Sequence, residues 1–323
     1  MPRGAVTSVA GFVLNIRVPM ARKRNLPTQP SVAPGSACLE AAIREQQRRI
    51  SAAIAALGTA GEDDVHGARV AARRLRSMLK TFGPLLDERR AQRYRAHLRT
   101  FARLLGTARE ADVRRALLFD VASDAHFTPV ERERLTELLD DACLASREQL
   151  RRHLAEPAWA ALSRALQRDA SGGRLYAVRD ADVGALVHLA TRAWRRPVKL
   201  LRRNPTSTAE LHELRLAFKH CRYALEPIAG VAPKATARLL RRLRGAQDRI
   251  GEHRDALLAG HWVRENERAF GRPLVARLVA SIGVREKRLR RQSAARAAKV
   301  LDAWQAWRDA TRPLRKAANR DRA

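Results

Sequence analysis

Apolar residues recur every three or four positions from residue 36 onward, and the punctuation between these runs is that of helices. The stretch "SACLEAAIREQQRRISAAIAAL" opens on a capping residue, Ser36, carries an i, i+3, i+4, i+7 apolar series and runs into Gly58. Further starts are predicted at Asp63 or Asp64 before Val65, at Thr128 with Pro129 next and Glu131 three on, and at Ser207 with Glu210 three on. Stops are predicted at "FGP" (82–84), "LG" (105–106), "SGG" (171–173), "RRNP" (202–205), "AGVAP" (229–233) and "FGRP" (270–273). Alternating β-branched runs bounded by turn residues are scarce. The pattern therefore predicts an all-α chain of about eight to ten helices with short connections and a midpoint near Ser171–Gly173.

Two of these helices carry a second stripe. In "VHGARVAARRLRSML" (65–79), His66, Arg69, Arg73 and Arg76, with Lys80 just beyond, alternate at steps of three and four. At about 100° per residue they fall within an arc of roughly 80°, and Ala68, Ala72, Leu75, Leu79 and Phe82 centre about 120° away. In "LHELRLAFKHCRYAL" (211–225), His212, Arg215, Lys219 and Arg222 take the same arc, and Leu214, Phe218, Cys221, Leu225 and Ile228 the apolar one. Each helix thus packs with one face and presents a line of cations with another. Like charges at this spacing repel by a few tenths of a kcal/mol per pair. Either water solvates the row or an anion offsets the repulsion.

A constant offset of 146 aligns the two rows residue for residue, and a second pair of segments follows at 145. "RLLGTAREADV" (103–113) matches "DRIGEHRDALL" (248–258), pairing Gly106 with Gly251, Arg109 with Arg254 and Glu110 with Asp255. An internal duplication is expected. It divides the chain into an N-terminal extension (1–36), a first helical bundle (37–170), a second (174–315) and a basic tail (316–323).

Composition narrows the partner. The 64 Lys and Arg residues against 33 Asp and Glu leave a formal charge of +31 on 323 residues, which favours a polyanion. Cys38, Cys143 and Cys221 are widely spaced with no CxxC pair, so buried thiols are expected rather than disulfides or zinc. No apolar run reaches the roughly 18 to 20 residues of a membrane span. "AVTSVAGFVLNIRV" is interrupted by Asn15 and Arg17 and lacks a cleavage site, and "RKRNLPTQPSVAPGS" (22–36) is rich in Pro and polar residues. We read the first 36 residues as a disordered extension or an over-long start, with Met20 as an alternative first residue.

The paired HxxR(x3)[RK]xxR rows and "LLGTAREADV" resemble the CHAD family, the conserved-histidine α-helical domain, over about Ala37 to Arg312. The sequence departs from the family pattern at Gly67 and Ala68, where larger residues are usual, and at "GEHRD", which replaces an Asn-Asp pair. The resemblance implies two pseudo-symmetric antiparallel helical bundles around a basic central channel, and binding of inorganic polyphosphate, in the cytoplasm at polyphosphate granules. It places His66, Arg69, Arg73, Arg76 and Lys80 on one wall, His212, Arg215, Lys219 and Arg222 on the other, and Arg109 and Arg254 at the rim.

Binding without catalysis is the expected mode, with no cofactor. Polyphosphate is a line of anionic oxygens without bases, which repeated Arg forks and Lys charges match. The sequence has no GxxxxGK[ST], HExxH or GxSxG motif, and "ERER" (131–134) lacks the Lys of an ExExK signature. Glu131 and Glu133 are read as surface charges, and no metal site is expected. Glu110, Asp112 and Asp255 are read as orienting arginines, and Trp159, Trp194, Trp262, Trp304 and Trp307 as packing residues. The alternatives are a basic helical nucleic-acid binder and an accessory module to a phosphate-processing enzyme. Against the first, the rows carry almost none of the aromatic platforms on which bases stack, so nucleic acid is expected as a partner only at low salt.

Overall fold

The computed structural model describes residues 35–56, 62–124, 127–172 and 181–320. Among these the chain is all-α: α1 (Gly35–Ala56), α2 (Glu62–Thr81), α3 (Glu88–Asp124), α4 (Pro129–Leu154), α5 (Pro157–Gly172), α6 (Val183–Arg192), α7 (Arg195–Leu201), α8 (Thr208–Leu225), α9 (Pro233–Glu265), α10 (Glu267–Phe270), α11 (Arg272–Ala310) and α12 (Arg312–Arg320). Short 3₁₀ turns at Gly83–Leu85 and Glu226–Ile228 follow α2 and α8, each with Pro in its first two positions. The expected extension lies outside the described residues except for Gly35 and Ser36, which already belong to α1, and Gly58 is outside them too. Residues 316–320, expected as tail, continue α12.

The local signals act where they were read. Thr128 and Ser207 accept from the backbone N–H of Glu131 and Glu210, and each Glu side chain accepts from its cap's N–H, closing both capping boxes. Gly271, at φ +82, separates α10 from α11 in the left-handed region that glycine enters without strain. The twelve helices among the described residues exceed the expected eight to ten because the connections contain the short α6, α7 and α10, and because α12 restarts after Thr311. The stop at "LG" (105–106) is a misreading, since α3 runs unbroken through Gly106.

Both apolar stripes are buried as expected. Ala68, Ala72, Leu75 and Leu79 on α2 and Phe82 just after it are at most 3% exposed, as are Leu214, Phe218, Cys221 and Leu225 on α8 and Ile228 in the turn that follows. They belong to one large core that also takes in Leu39, Leu98, Leu166, Trp194 and Trp307. A second core joins Leu118 and Leu139 to Val263 and Leu278. Each core therefore draws residues from both sides of the sequence midpoint. Trp194, Trp304 and Trp307 stack in series at centroid distances of 4.3 and 5.2 Å. Trp159 is buried against Phe101, and Trp262 packs edge-on against Phe270 with the Arg114 guanidinium 4.4 Å over its ring. All five tryptophans are thus in packing roles.

Four helices position the site. α2 packs on α3, α3 on α9, α9 on α8, and α8 on α2, and α11 runs along α9 behind them. Between α2 and α8, Ser77 Oγ and His220 Nδ1 share a hydrogen bond of 2.8 Å, and the Arg74 guanidinium lies 5.9 Å from the centroid of the Tyr223 ring. An offset of 146 converts one pair into the other, as a two-fold relation between the helices would. Among the described residues no helix is long and apolar enough to cross a membrane. Cys143 and Cys221 are buried and Cys38 is half-buried, all three as free thiols.

Candidate polyanion-binding cluster

Arg69 and Arg73 from α2 meet Arg215 and Lys219 from α8, with Arg254 of α9 at the same centre. Burial and then the Arg73 charge lower Arg69 to about 10, against a single flanking carboxylate, Glu110, whose Oε1 is 3.8 Å from Arg69 Nη2. Arg73 and Arg215 are lowered chiefly by burial, and both feel Arg254. Lys219 is the extreme case. Burial, then Arg215, Arg73, Arg69 and Arg222, push its ammonium down to about 6. A dense patch of desolvated like charge costs free energy in the folded protein, and an anion inserted there relieves it.

Glycine makes the patch possible. A Cβ placed at Gly106 would stand 3.5 Å from Arg69 Nη2, and one at Gly251 would stand 3.0 Å from Arg215 Nη2 and 3.3 Å from its Nε. These guanidiniums therefore lie across the bare backbone of α3 and α9. Gly251 is the tighter of the two, and Gly106 lies mid-helix beneath Arg69 at an ordinary contact distance rather than at a helix end. The Nε atoms of Arg69 and Arg215 are buried with no hydrogen-bond partner among the described residues, a cost of about 1–3 kcal/mol each that a bound oxygen would remove.

The two histidines differ. His212 accepts from Arg254 Nη1 at 3.1 Å through Nδ1. A guanidinium only donates, so this imidazole is neutral, in keeping with burial and Arg254 lowering its pKa. His66 is exposed on α2. Arg109 faces the cluster closely enough to act on Asp255, together with Arg215, Arg254 and Lys219, while burial raises the Asp255 carboxyl despite them. The other two carboxylates read as orienting arginines each have one: Glu110 faces Arg69, and buried Asp112 accepts from Arg147 of α4 at 3.1 Å, away from the rows. Glu131 caps α4 and pairs with Arg277.

The rest of the rows leave the centre. Arg76 is lowered by burial and then by Arg99, Arg73 and Arg95, and exposed Lys80 acts with Arg95 on His220. Arg222 donates to Tyr223 Oη at 3.3 Å and approaches Glu226 to 4.0 Å. Sequence reasoning did not find Arg95, Arg99, His220, Tyr223 or Glu226. Arg95 and Arg99 carry the i, i+4 signal of a shared helix face, but which way that face turns is fixed only by α2. His220 lies between Ser77 and Thr81, and burial lowers it to about 4. A groove of about 530 Å³ between α3 and α5 lies apart from the cluster, floored by Ala158, Ala161, Leu162 and Ala165.

The comparisons agree with the all-α fold. The family model described as the CHAD domain matches residues 37–264, ending within α9 and short of the Arg312 limit expected from the resemblance. The crystal structure of the CHAD domain from the plant Ricinus communis is similar at 22% identity and TM-score 0.61, covering 87% of this chain and 92% of that one. PptA from Streptomyces chartreusis is similar at 22% identity and TM-score 0.65, covering 84% of this chain and 100% of that one. At these identities the likeness speaks to the fold. No curated protein matches the sequence. With more than half of its residues matched by the family model, the chain belongs to the CHAD domain family.

Proposed function

We propose that this protein binds inorganic polyphosphate, without catalysis, in a basic channel between two duplicated helical bundles (37–170 and 174–315), and associates with polyphosphate granules in the cytoplasm. The observation that carries this reading is the meeting of Arg69, Arg73, Arg215, Lys219 and Arg254 around two nearby carboxylates among the described residues, Glu110 and Asp255. The duplication is supported by the matched geometry of Arg69 over Gly106 and Arg215 over Gly251.

The cluster suits a narrow, base-free polyanion. Arg side chains grip phosphoryl oxygens two at a time, and Lys219 adds a point charge, beside His212, whose two ring nitrogens lie 3.1 and 3.4 Å from Arg254 Nη1. Counterion release dominates the affinity, so binding falls steeply with salt. Nucleic acid fits less well. Tyr223, next to Arg222 on α8, is 4% exposed, with the Arg74 and Arg222 guanidiniums against its ring. It offers no stacking platform.

The test is competition near physiological salt. Labelled polyphosphate is bound first, and unlabelled polyphosphate, tRNA or single-stranded DNA is added at matched phosphate concentration. Only polyphosphate should displace the label efficiently; equal displacement by nucleic acid would overturn the reading. Incubation with Mg²⁺ or Mn²⁺ should release no phosphate.

A further inference from the structure

The row on α2 continues onto α3 past the central cluster. Arg76 is flanked by Arg99 and Arg95, and Lys80 and Arg95 are the charges that act on His220. Arg95 and Arg99 are one helical turn apart on α3, which packs along α2. Among the described residues, none of these four cations has a carboxylate within ion-pair distance, whereas Arg69 and Arg222 each do.

The other half differs at the matching positions. The offsets of 146 and 145 take Arg76 to Arg222 and Arg99 to Arg244, but Lys80 to Glu226 and Arg95 to Leu240. Four cations on the α2–α3 side thus correspond to two cations, a carboxylate and a leucine on the α8–α9 side. Glu226 is fixed where it stands, 3.1 Å from Arg74 Nε and 4.0 Å from Arg222 Nε. An anionic chain extending from the centre meets rising positive potential on one side and a carboxylate on the other.

We propose that a polyphosphate chain held at the central cluster leaves it by one route, over Arg76 to Arg99, Arg95 and Lys80, so that the two halves of the duplication have unequal tasks. This rests on the polyphosphate reading above. Arg69 and Lys80 are separated by about 16 Å of helix, so tripolyphosphate occupies the centre alone while a long chain also covers the α3 cations.

The test compares Arg95→Gln/Arg99→Gln with Arg241→Gln/Arg244→Gln, which removes the same charge from α9. Affinity is measured for tripolyphosphate and for long-chain polyphosphate over a salt series, with thermal unfolding as a check that both variants fold. The α3 variant should lose about tenfold or more for the long chain, with a salt dependence shallower by about two phosphate contacts, and should hold tripolyphosphate as wild type does. The α9 variant should lose less than about twofold for either ligand. Equal long-chain losses in both variants, or an equal loss of both ligands in the α3 variant, would overturn the one-sided route. Failure of the unmodified protein to bind either ligand would instead overturn the polyphosphate reading.

Discussion

The guanidinium of Arg215 lies across Gly251, with Nη2 3.0 Å from where a β-carbon would be. Alanine at 251 therefore cannot be added without moving Arg215, although alanine favours a helix interior over glycine by up to about 1 kcal/mol. Gly251→Ala should bind polyphosphate several-fold more weakly with little loss of thermal stability. Gly106→Ala meets Arg69 at an ordinary contact distance of 3.5 Å, so it should gain stability and keep most of its affinity. Titration calorimetry and thermal melts on the two variants separate these effects. Matched binding losses would mean that the glycines do not position the arginines.

Lys219 should couple binding to protons. Its ammonium, lowered to about 6 in the free protein, is largely neutral at pH 8, and a bound polyanion favours its charged form. Binding then takes up a proton above pH 6, so affinity falls as pH rises, by at most about tenfold per pH unit. The free protein responds in the opposite sense: the unfolded chain holds this proton up to its ordinary value near 10.4, so the Lys219 contribution to stability grows with pH across that window. Lys219→Arg keeps its charge and should flatten the binding curve between pH 7 and 9. A wild-type affinity that does not change over this range would refute the coupling.

The central rows should matter more than net charge. Arg73→Glu with Lys219→Glu and Arg22→Glu with Lys23→Glu alter the formal charge equally, and Arg73 and Lys219 lie in the cluster. The first double should lose polyphosphate binding by orders of magnitude and the second by a small factor set by long-range attraction. Equal losses would make the protein a diffuse polycation.

One buried contact offers a stability test independent of the ligand. Trp307 Nε1 donates to Thr236 Oγ1 at 2.9 Å, with both residues at most 1% exposed. Thr236→Val leaves the indole N–H unpaired in the core and should cost about 1–3 kcal/mol in chemical denaturation without changing affinity at the distant rows.

What could be read from the sequence was local. The caps at Thr128 and Ser207 and the twin stripes of α2 and α8 need only neighbours within a turn or two, and they stand in the fold as read. Gly106 was misread as a stop, whereas it lies mid-helix beneath a guanidinium from another helix. Lys219 looked equal to its row mates, since the spacing that puts it on the cationic face says nothing of how deeply that face is enclosed. Glu226 and Arg95 went unnoticed because their role depends on which helices lie opposite them.

The stacked tryptophans bear on how the protein is made. Trp194 rests on Trp304, and Trp304 on Trp307, within the same core that supports α2 and α8. A chain emerging from the ribosome has both cationic helices exposed long before these last rings arrive. Until residue 307 joins the core, the cation-bearing helices lack their final support, so the polyanion site is completed only after the chain has been made through α11.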